Sequence, residues 1–407
     1  MKRTAKLFVF LLLLSLLCAC ARNTPGSRQE TEIPTMPSES LPTEPASTQP
    51  PEPVYDETPQ TDTVAATVDG KALTATYVSG GQTYLRLAEL AALLSAEGAV
   101  TEKRPGTATA RGSDWYSGVL SWSDGTLRFD NGSASAELNA EEILLSAVPI
   151  YDGTDWYLPL HDVLSALGYT QYDDAEQNHL YYTMLPDVDA IPDGYRVPIL
   201  MYHAVSDDMW GINELFVSPS EMEKQLQYLT ENGYTPIWFE DLPNIAQYEK
   251  PVILTFDDGY DDNYEELYPL LQKYNVKATI FFIGGSFSGV HKMSAEQVKE
   301  LSDSGLVSIQ SHTYSHYEME TLNREETEFE CRQSLLELMR VTGKQPFVLC
   351  YPSGSNNATT REVGAEYYLF GIRMNGGLYV TGVDRFKIPR YYVSRYTSLS
   401  SFASMVG

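Results

Sequence analysis

From Val197 onward, apolar runs of strand length alternate with amphipathic helical segments, and no other feature of the 407-residue chain restricts its fold so strongly. The strand-like runs are Val197 to Val205, Val252 to Phe256, Ala278 to Ile283, Val307 to Gln310 and Phe347 to Tyr351. Helical segments fall between them at 218–232, 264–274, 294–303 and 325–342. The first opens on Ser218-Pro219-Ser220-Glu221, a capping box with proline at the first helical position. Continuous apolar strands separated by helices predict an α/β architecture with parallel strands. In such folds functional side chains gather where strands end at their carboxyl side.

Three of these ends carry unusual residues. The strand at Val252 to Phe256 runs into Asp257-Asp258-Gly259-Tyr260. Consecutive side chains point in different directions, so one carboxylate can bind a metal while the other faces a substrate. A turn built on Asp-Asp-Gly is the competing explanation and is sufficient when this motif is taken alone. The strand at Val307 to Gln310 ends in Ser311-His312-Thr313-Tyr314-Ser315-His316. Histidines at i and i+4 share one face of a helical turn, which lets two imidazoles hold one metal ion; a structural pair is the alternative. The third end, Cys350-Tyr351-Pro352-Ser353-Gly354, is a turn able to offer a backbone N–H to a carbonyl oxygen.

In this order the motifs resemble the polysaccharide deacetylase superfamily (carbohydrate esterase family 4, the NodB-type domain). Thr255-Phe256-Asp257-Asp258-Gly259-Tyr260 matches its first motif and Ser311 to His316 its second, while Tyr351-Pro352-Ser353-Gly354 is similar to the third. The resemblance spans residues 197–407 and implies a distorted, incomplete (β/α) barrel. It also implies an enzyme, a metal-dependent hydrolase that releases acetate from an acetylated carbohydrate. Carried over residue by residue, it makes Asp258, His312 and His316 the ligands of a divalent metal ion, expected to be Zn2+. Asp257 becomes the general base toward water, and the Ser353 backbone N–H a donor to the oxyanion.

The chain departs from the commonest family pattern. No arginine stands in Gln345-Pro346-Phe347-Val348-Leu349-Cys350, and the Asp-Trp and Leu-x-His motifs are missing. Leu200-Met201-Tyr202-His203 and Ile388-Pro389-Arg390-Tyr391-Tyr392-Val393 resemble instead the subgroup of poly-N-acetylglucosamine deacetylases of exopolysaccharide systems. On that likeness Arg390 orients Asp257, with an ordinary structural arginine as the alternative. His203, closing the apolar strand Ile199-Leu200-Met201-Tyr202, takes the place of the missing histidine as general acid. His291, in a polar loop, is expected in solvent.

The expected reaction is N-deacetylation of an N-acetylglucosamine-containing polysaccharide, an exopolysaccharide first and peptidoglycan second. The alternatives are an O-acetyl esterase of the acetylxylan type and a catalytically weak wall-glycan-binding lipoprotein. With 28 basic against 55 acidic residues and a net charge of −27, the surface argues against nucleic acid as a partner.

The remaining sequence concerns address and attachment. Lys2, Arg3 and Lys6 precede the apolar run Leu7 to Leu17. That run falls short of the about 20 residues a membrane helix needs and suits a signal peptide over 1–20. Leu17-Cys18-Ala19-Cys20 resembles a bacterial lipobox, which implies lipidation of Cys20 and an extracytoplasmic protein anchored to the cell membrane, facing the cell wall. Residues 21–62, rich in Pro, Thr, Ser and Glu, are expected to be a disordered tether.

Over 63–185 a turn–strand–helix pattern occurs twice, as Gly81 to Leu87 with a helix at 88–94 and as Gly153 to Leu160 with a helix at 161–167. This small α+β repeat domain resembles the copper amine oxidase N-terminal-like (stalk) domain, yet its isolated His161 and His179 make no copper site. Trp115, Trp122 and Trp156 are expected in the core and interfaces, sugar stacking being the alternative. Cys331 and Cys350 are expected to be reduced, buried thiols.

Overall fold

A computed structural model describes residues 59–96, 98–104 and 115–407. The signal segment, Cys20 and the tether as far as residue 58 lie outside the described residues. The expected tether boundary at 62 is too late. Gln60–Thr61 is a strand paired with Tyr77 and Val78. The Asp62 carboxylate accepts from the Thr63 and Val64 amides and the Thr83 hydroxyl, bonds a solvated tether would not hold.

Eight parallel strands organise the second half of the chain. They are β1 (Ile199–Tyr202), β2 (Thr235–Pro236), β3 (Pro251–Asp258), β4 (Ala278–Phe282), β5 (Val307–Ser311), β6 (Val348–Cys350), β7 (Phe370–Ile372) and β8 (Tyr391–Tyr392). Their order is β7-β6-β5-β4-β3-β1-β8, with β2 beside the start of β3. All eight residues of β3 are buried, which is why its sequence reads as continuously apolar up to the two aspartates. The sheet curls until its edges approach at a single bridge, Ile372 to Ile388, where the Arg373 amide donates to the Ile388 carbonyl at 2.9 Å. The result is an α/β fold built on a curled, half-barrel sheet, with Arg390 adding bonds to the Asn375 and Arg373 carbonyls beside that bridge.

Register fixes where the chemistry can sit. Asp258 pairs with Phe282, Phe282 with Ser311, and Ser311 with Leu349, so the carboxyl ends of β3 to β6 lie level. The outer helices are α1 (Pro219–Glu231), α2 (Tyr268–Tyr274), α3 (Ala295–Asp303), α4 (Arg324–Thr342), α5 (Ala358–Tyr367) and α6 (Leu399–Val406). The expected capping box at α1 is only half made: Ser218 accepts from the Glu221 amide, but the Glu221 carboxylate turns away to Lys224. Asn323 and Glu326 close a reciprocal capping box at the start of α4.

In residues 59–185 the two sequence copies meet each other. Their strands, Gln82–Arg86 and Trp156–Pro159, pair antiparallel with Leu85 opposite Leu158. The helices Leu87–Leu93 and Leu160–Ala166 follow, and equivalent leucines from both copies fill one core with Val163 and Trp156. Trp156 is 2% exposed, with its indole N–H on Thr101, so it is a core residue and no sugar platform. His179 is satisfied by the Thr67 hydroxyl at 2.8 Å and stacks on Tyr181. This region packs against α4: Arg340 reaches Asp174 with two hydrogen bonds, and Tyr181 joins Met319, Cys331, Leu335 and Met339 in an apolar cluster. Both described cysteines are free and buried. Among the described residues no helix is long and apolar enough to cross a membrane.

Candidate active site

β3 ends by bending through two left-handed residues, Asp258 (φ 77°) and Gly259 (φ 71°). A Cβ on Gly259 would lie 2.1 Å from the Phe282 ring, so only glycine permits this bend. The bend turns Asp258 toward β5, where its Oδ1 lies 3.4 Å from Nε2 of both His312 and His316. That oxygen is buried and makes no hydrogen bond. Ligand atoms bound at about 2.0–2.1 Å around a tetrahedral ion are themselves about 3.3 Å apart. The triangle Asp258–His312–His316 therefore fits a divalent metal ion in both donor type and spacing. Burial works to raise the Asp258 carboxyl, and the two imidazoles more than reverse it, holding it well below the usual carboxylate range.

The histidines reach this triangle by a route the sequence did not indicate. Residues 312–316 form no helical turn: Thr313 (φ 63°) and His316 (φ 61°) are left-handed, which an α-helix excludes. His312 continues β5, with its amide on the Phe282 carbonyl, and the chain then folds back. Glu330 on α4 fixes that fold, its carboxylate accepting from the Tyr314 and Ser315 amides at 2.9 and 2.7 Å. Sequence reasoning passed over Glu330. Its signal was an acid spaced with Thr327, Cys331 and Ser334 on the buried face of α4. His312 Nδ1 lies 2.8 Å from the Cys350 carbonyl, so Nδ1 carries the hydrogen and Nε2 keeps a lone pair for a metal.

Asp257 points the other way, into the barrel, where Arg390 holds it. Nη1 and Nη2 donate to its two oxygens at 2.7 Å each, with the guanidinium wholly buried. Arg390 also donates to the Thr255 hydroxyl and the Cys350 thiol. Burial alone would push the Asp257 carboxyl up, and Arg390 outweighs it, keeping the group below its ordinary range. Asp257, His312 and Cys350 also bring ligand atoms together. That grouping suits a metal poorly, because Arg390 occupies both Asp257 oxygens and burial pushes the Cys350 thiol up.

His203 follows β1 and is 8% exposed, with Nδ1 buried and unpartnered. Burial lowers its pKa, and the nearby charges of Asp257 and Asp258 pull it partly back. Asn263 donates to its carbonyl at 3.0 Å. Ser353, past the end of β6, is exposed and left-handed (φ 53°) inside a short turn closed by Gly354. His291 is not simply in solvent: its ring stacks on Trp210 at 4.1 Å.

The family model for polysaccharide deacetylases matches residues 244–369, which run from before β3 to the end of α5 and into β7's approach. A Bacillus subtilis (strain 168) protein, YxkH, named for polysaccharide deacetylation, is 34% identical over 217 residues, covering 52% of this chain and 76% of that one. The chain belongs to the polysaccharide deacetylase family, and it is a deacetylating hydrolase. The poly-beta-1,6-N-acetyl-D-glucosamine N-deacetylase of Escherichia coli (strain K12) is 26% identical over 51% of this chain, which spans 38% of that protein's length. Among solved structures, the Streptococcus pyogenes deacetylase PplD in complex with acetate aligns with a TM-score of 0.50 and 27% identity, over 53% of this chain and 99% of that one.

Proposed function

We propose that this protein removes N-acetyl groups from an N-acetylglucosamine-containing polysaccharide at the cell surface, an exopolysaccharide before peptidoglycan. The observation that carries the reading is the orphaned Asp258 oxygen 3.4 Å from two imidazoles, beside a second carboxylate that Arg390 keeps charged. Asp258, His312 and His316 would hold a divalent ion, Zn2+ by their donor set. Bound there, the ion would polarise the acetyl carbonyl and acidify the attacking water. Asp257, ionised through the neutral range, accepts the water's proton, and Arg390 fixes the direction of its lone pairs. The Ser353 N–H would donate to the oxyanion. His203 in its protonated form gives a proton to the leaving nitrogen, since expulsion of an amide anion is prohibitive. Cys20 lipidation and the 21–58 segment would hold the folded part at a distance from the membrane, and residues 59–185 would act as a stalk domain.

The test is acetate release, with and without chelator, from poly-β-1,6-N-acetylglucosamine, chitooligosaccharides, peptidoglycan and acetylxylan. Chelator-sensitive release from the first is expected. Release from acetylxylan alone would replace N- by O-deacetylation. His203→Ala should cost far more on the amide than on an activated acetyl ester, whose leaving group needs no proton; equal losses would put the acid elsewhere.

A further inference from the structure

Beside the ligand triangle, loops following three strands meet at the barrel mouth. Trp210 comes from the loop that leads away from β1, Tyr260 from the bend after β3, and His291 from the loop after β4. Trp210 and His291 lie face to face, 4.1 Å apart and 3° from parallel, and Tyr260 meets Trp210 edge-on at 4.7 Å. The stack is partly covered, with Phe216 edge-on to Trp210 at 4.8 Å, yet Trp210 is 36% exposed and the His291 side chain 40%, with Ile212 and Val290 more exposed still. The stack therefore leaves apolar ring surface open beside the ligand triangle, where a ligand could cover it. His291 is also held at φ 55°, a left-handed conformation uncommon outside glycine.

The stack is tied to the reacting centre. Lys292 donates to the Asp258 carbonyl at 2.8 Å while its ammonium lies 3.8 Å from the Tyr260 ring centre. The Asp261 amide bonds the His291 carbonyl and the Met293 amide the Gly259 carbonyl, so the loop carrying His291 is fastened to the metal-ligand bend. Asp207 and Asp208 are exposed ahead of Trp210, and Asp261 faces His291 at 4.0 Å. A flat apolar wall rimmed by carboxylates matches a pyranose ring: the CH-rich face lies on the aromatics and the hydroxyl or amino groups meet the acids.

We propose that Trp210, His291 and Tyr260 form a subsite for a second sugar ring of the polymer, next to the unit being deacetylated. This rests on the reading of the protein as a polysaccharide deacetylase acting at the Asp258 triangle. The subsite makes turnover depend on chain length and leaves the chemistry of the single acetyl group alone.

The experiment compares wild type, Trp210→Ala, Trp210→Phe and His291→Ala on β-1,6-linked N-acetylglucosamine oligomers of increasing length, with 4-nitrophenyl acetate as a substrate that needs no subsite. Trp210→Ala should raise KM for the longer oligomers about tenfold, the equivalent of one lost stacking contact. Its kcat and its 4-nitrophenyl acetate turnover should stay near wild type, and Trp210→Phe should restore most of the loss. An unchanged chain-length dependence in Trp210→Ala, with acetate still released, would overturn the subsite. So would loss of vesicle binding as the sole defect, which would make the stack a membrane-facing surface. Absence of acetate release from every oligomer in wild type would instead remove the deacetylase reading, and the subsite with it.

Discussion

The repeat region at 59–185 and the barrel after it spend unfavourable backbone on different things. In the repeat region the left-handed residues other than glycine are Asp69, Ser95, Asn139, Ala140 and Asn178, mostly short polar residues at chain reversals. In the barrel they include Asp258, Thr313, His316 and Ser353, all at strand ends on the mouth. Buried polar atoms divide similarly. Arg86 Nε is the one buried, unpartnered side-chain atom among the described residues of the first region; the second has eight, of which His203 Nδ1, Asp258 Oδ1 and Asp262 Oδ2 lie around the mouth while Glu240 Oε2 and Thr279 Oγ1 lie near the strand starts. Of these, only the atoms at the mouth lie where a ligand could complete them.

Two arginines of the barrel each grip a buried aspartate with two hydrogen bonds, Arg390 at the mouth and Arg340 across the seam to the repeat region, and breaking the two should separate chemistry from structure. Arg390→Met leaves the buried Asp257 charge without its partner, at an expected cost of about 3–5 kcal/mol in urea unfolding. Deacetylation should fall at least about 10²-fold with it, since the proposed base loses its orientation. Arg340→Met frees Asp174 at a partly wet seam and should cost about 2 kcal/mol. Its kcat should be unchanged. Equal losses of turnover in both variants would erase the contrast.

Two buried carboxyls should give opposite pH signatures. Arg340 holds Asp174 below its ordinary value, so its contribution is complete above about pH 4 and is lost as pH falls through the lower folded value. Asp174→Asn should therefore be less stable than wild type at pH 7, with the gap closing toward pH 3. Asp262 is pushed up to about 6, chiefly by burial. Its neutral form is the favoured one, so wild type loses stability as pH rises from about 4 through 6. Asp262→Asn keeps an acceptor for the Val205 amide and should be the more stable protein at pH 8, by roughly 2 kcal/mol. Parallel pH curves for wild type and Asp262→Asn would remove that account of the buried charge.

The legible part of this molecule was the part set by patterning and by strand ends. Apolar runs gave the parallel strands, and the twofold turn–strand–helix pattern gave two copies that turn out to pair with each other. Asp257, Asp258, His312 and His316 do converge, because register places the ends of β3 and β5 level. Spacing misled where it assumed a helix: i and i+4 brought the two imidazoles together through left-handed Thr313 and His316, a geometry no periodicity encodes. Long-range partners were equally hidden. The carbonyl of Cys350 that orients His312, and Glu330 that pins the loop, act across the fold from elements whose sequences announce only packing. The tether boundary slipped because a two-residue strand, Gln60–Thr61, has no pattern to read.

The smallest effect expected is none. Protein beginning at Pro59 should match the longer chain in melting temperature and in turnover of soluble oligomers, because the described hydrogen bonds begin with Gln60–Thr61 and Asp62. Protein beginning at Thr63 should melt lower, having lost that strand. Equal melting of the two would return the boundary to 62.

The most direct measurement of what the barrel mouth does is acetate release from poly-β-1,6-N-acetylglucosamine by metal-stripped protein titrated with Zn2+, with Asp258→Ala alongside. Release should be absent from the stripped protein and return as one equivalent of metal is added. It should stay absent in a folded Asp258→Ala protein that no longer retains the ion. Undiminished release from the stripped protein, or from Asp258→Ala, would contradict a metal-dependent site at Asp258, His312 and His316.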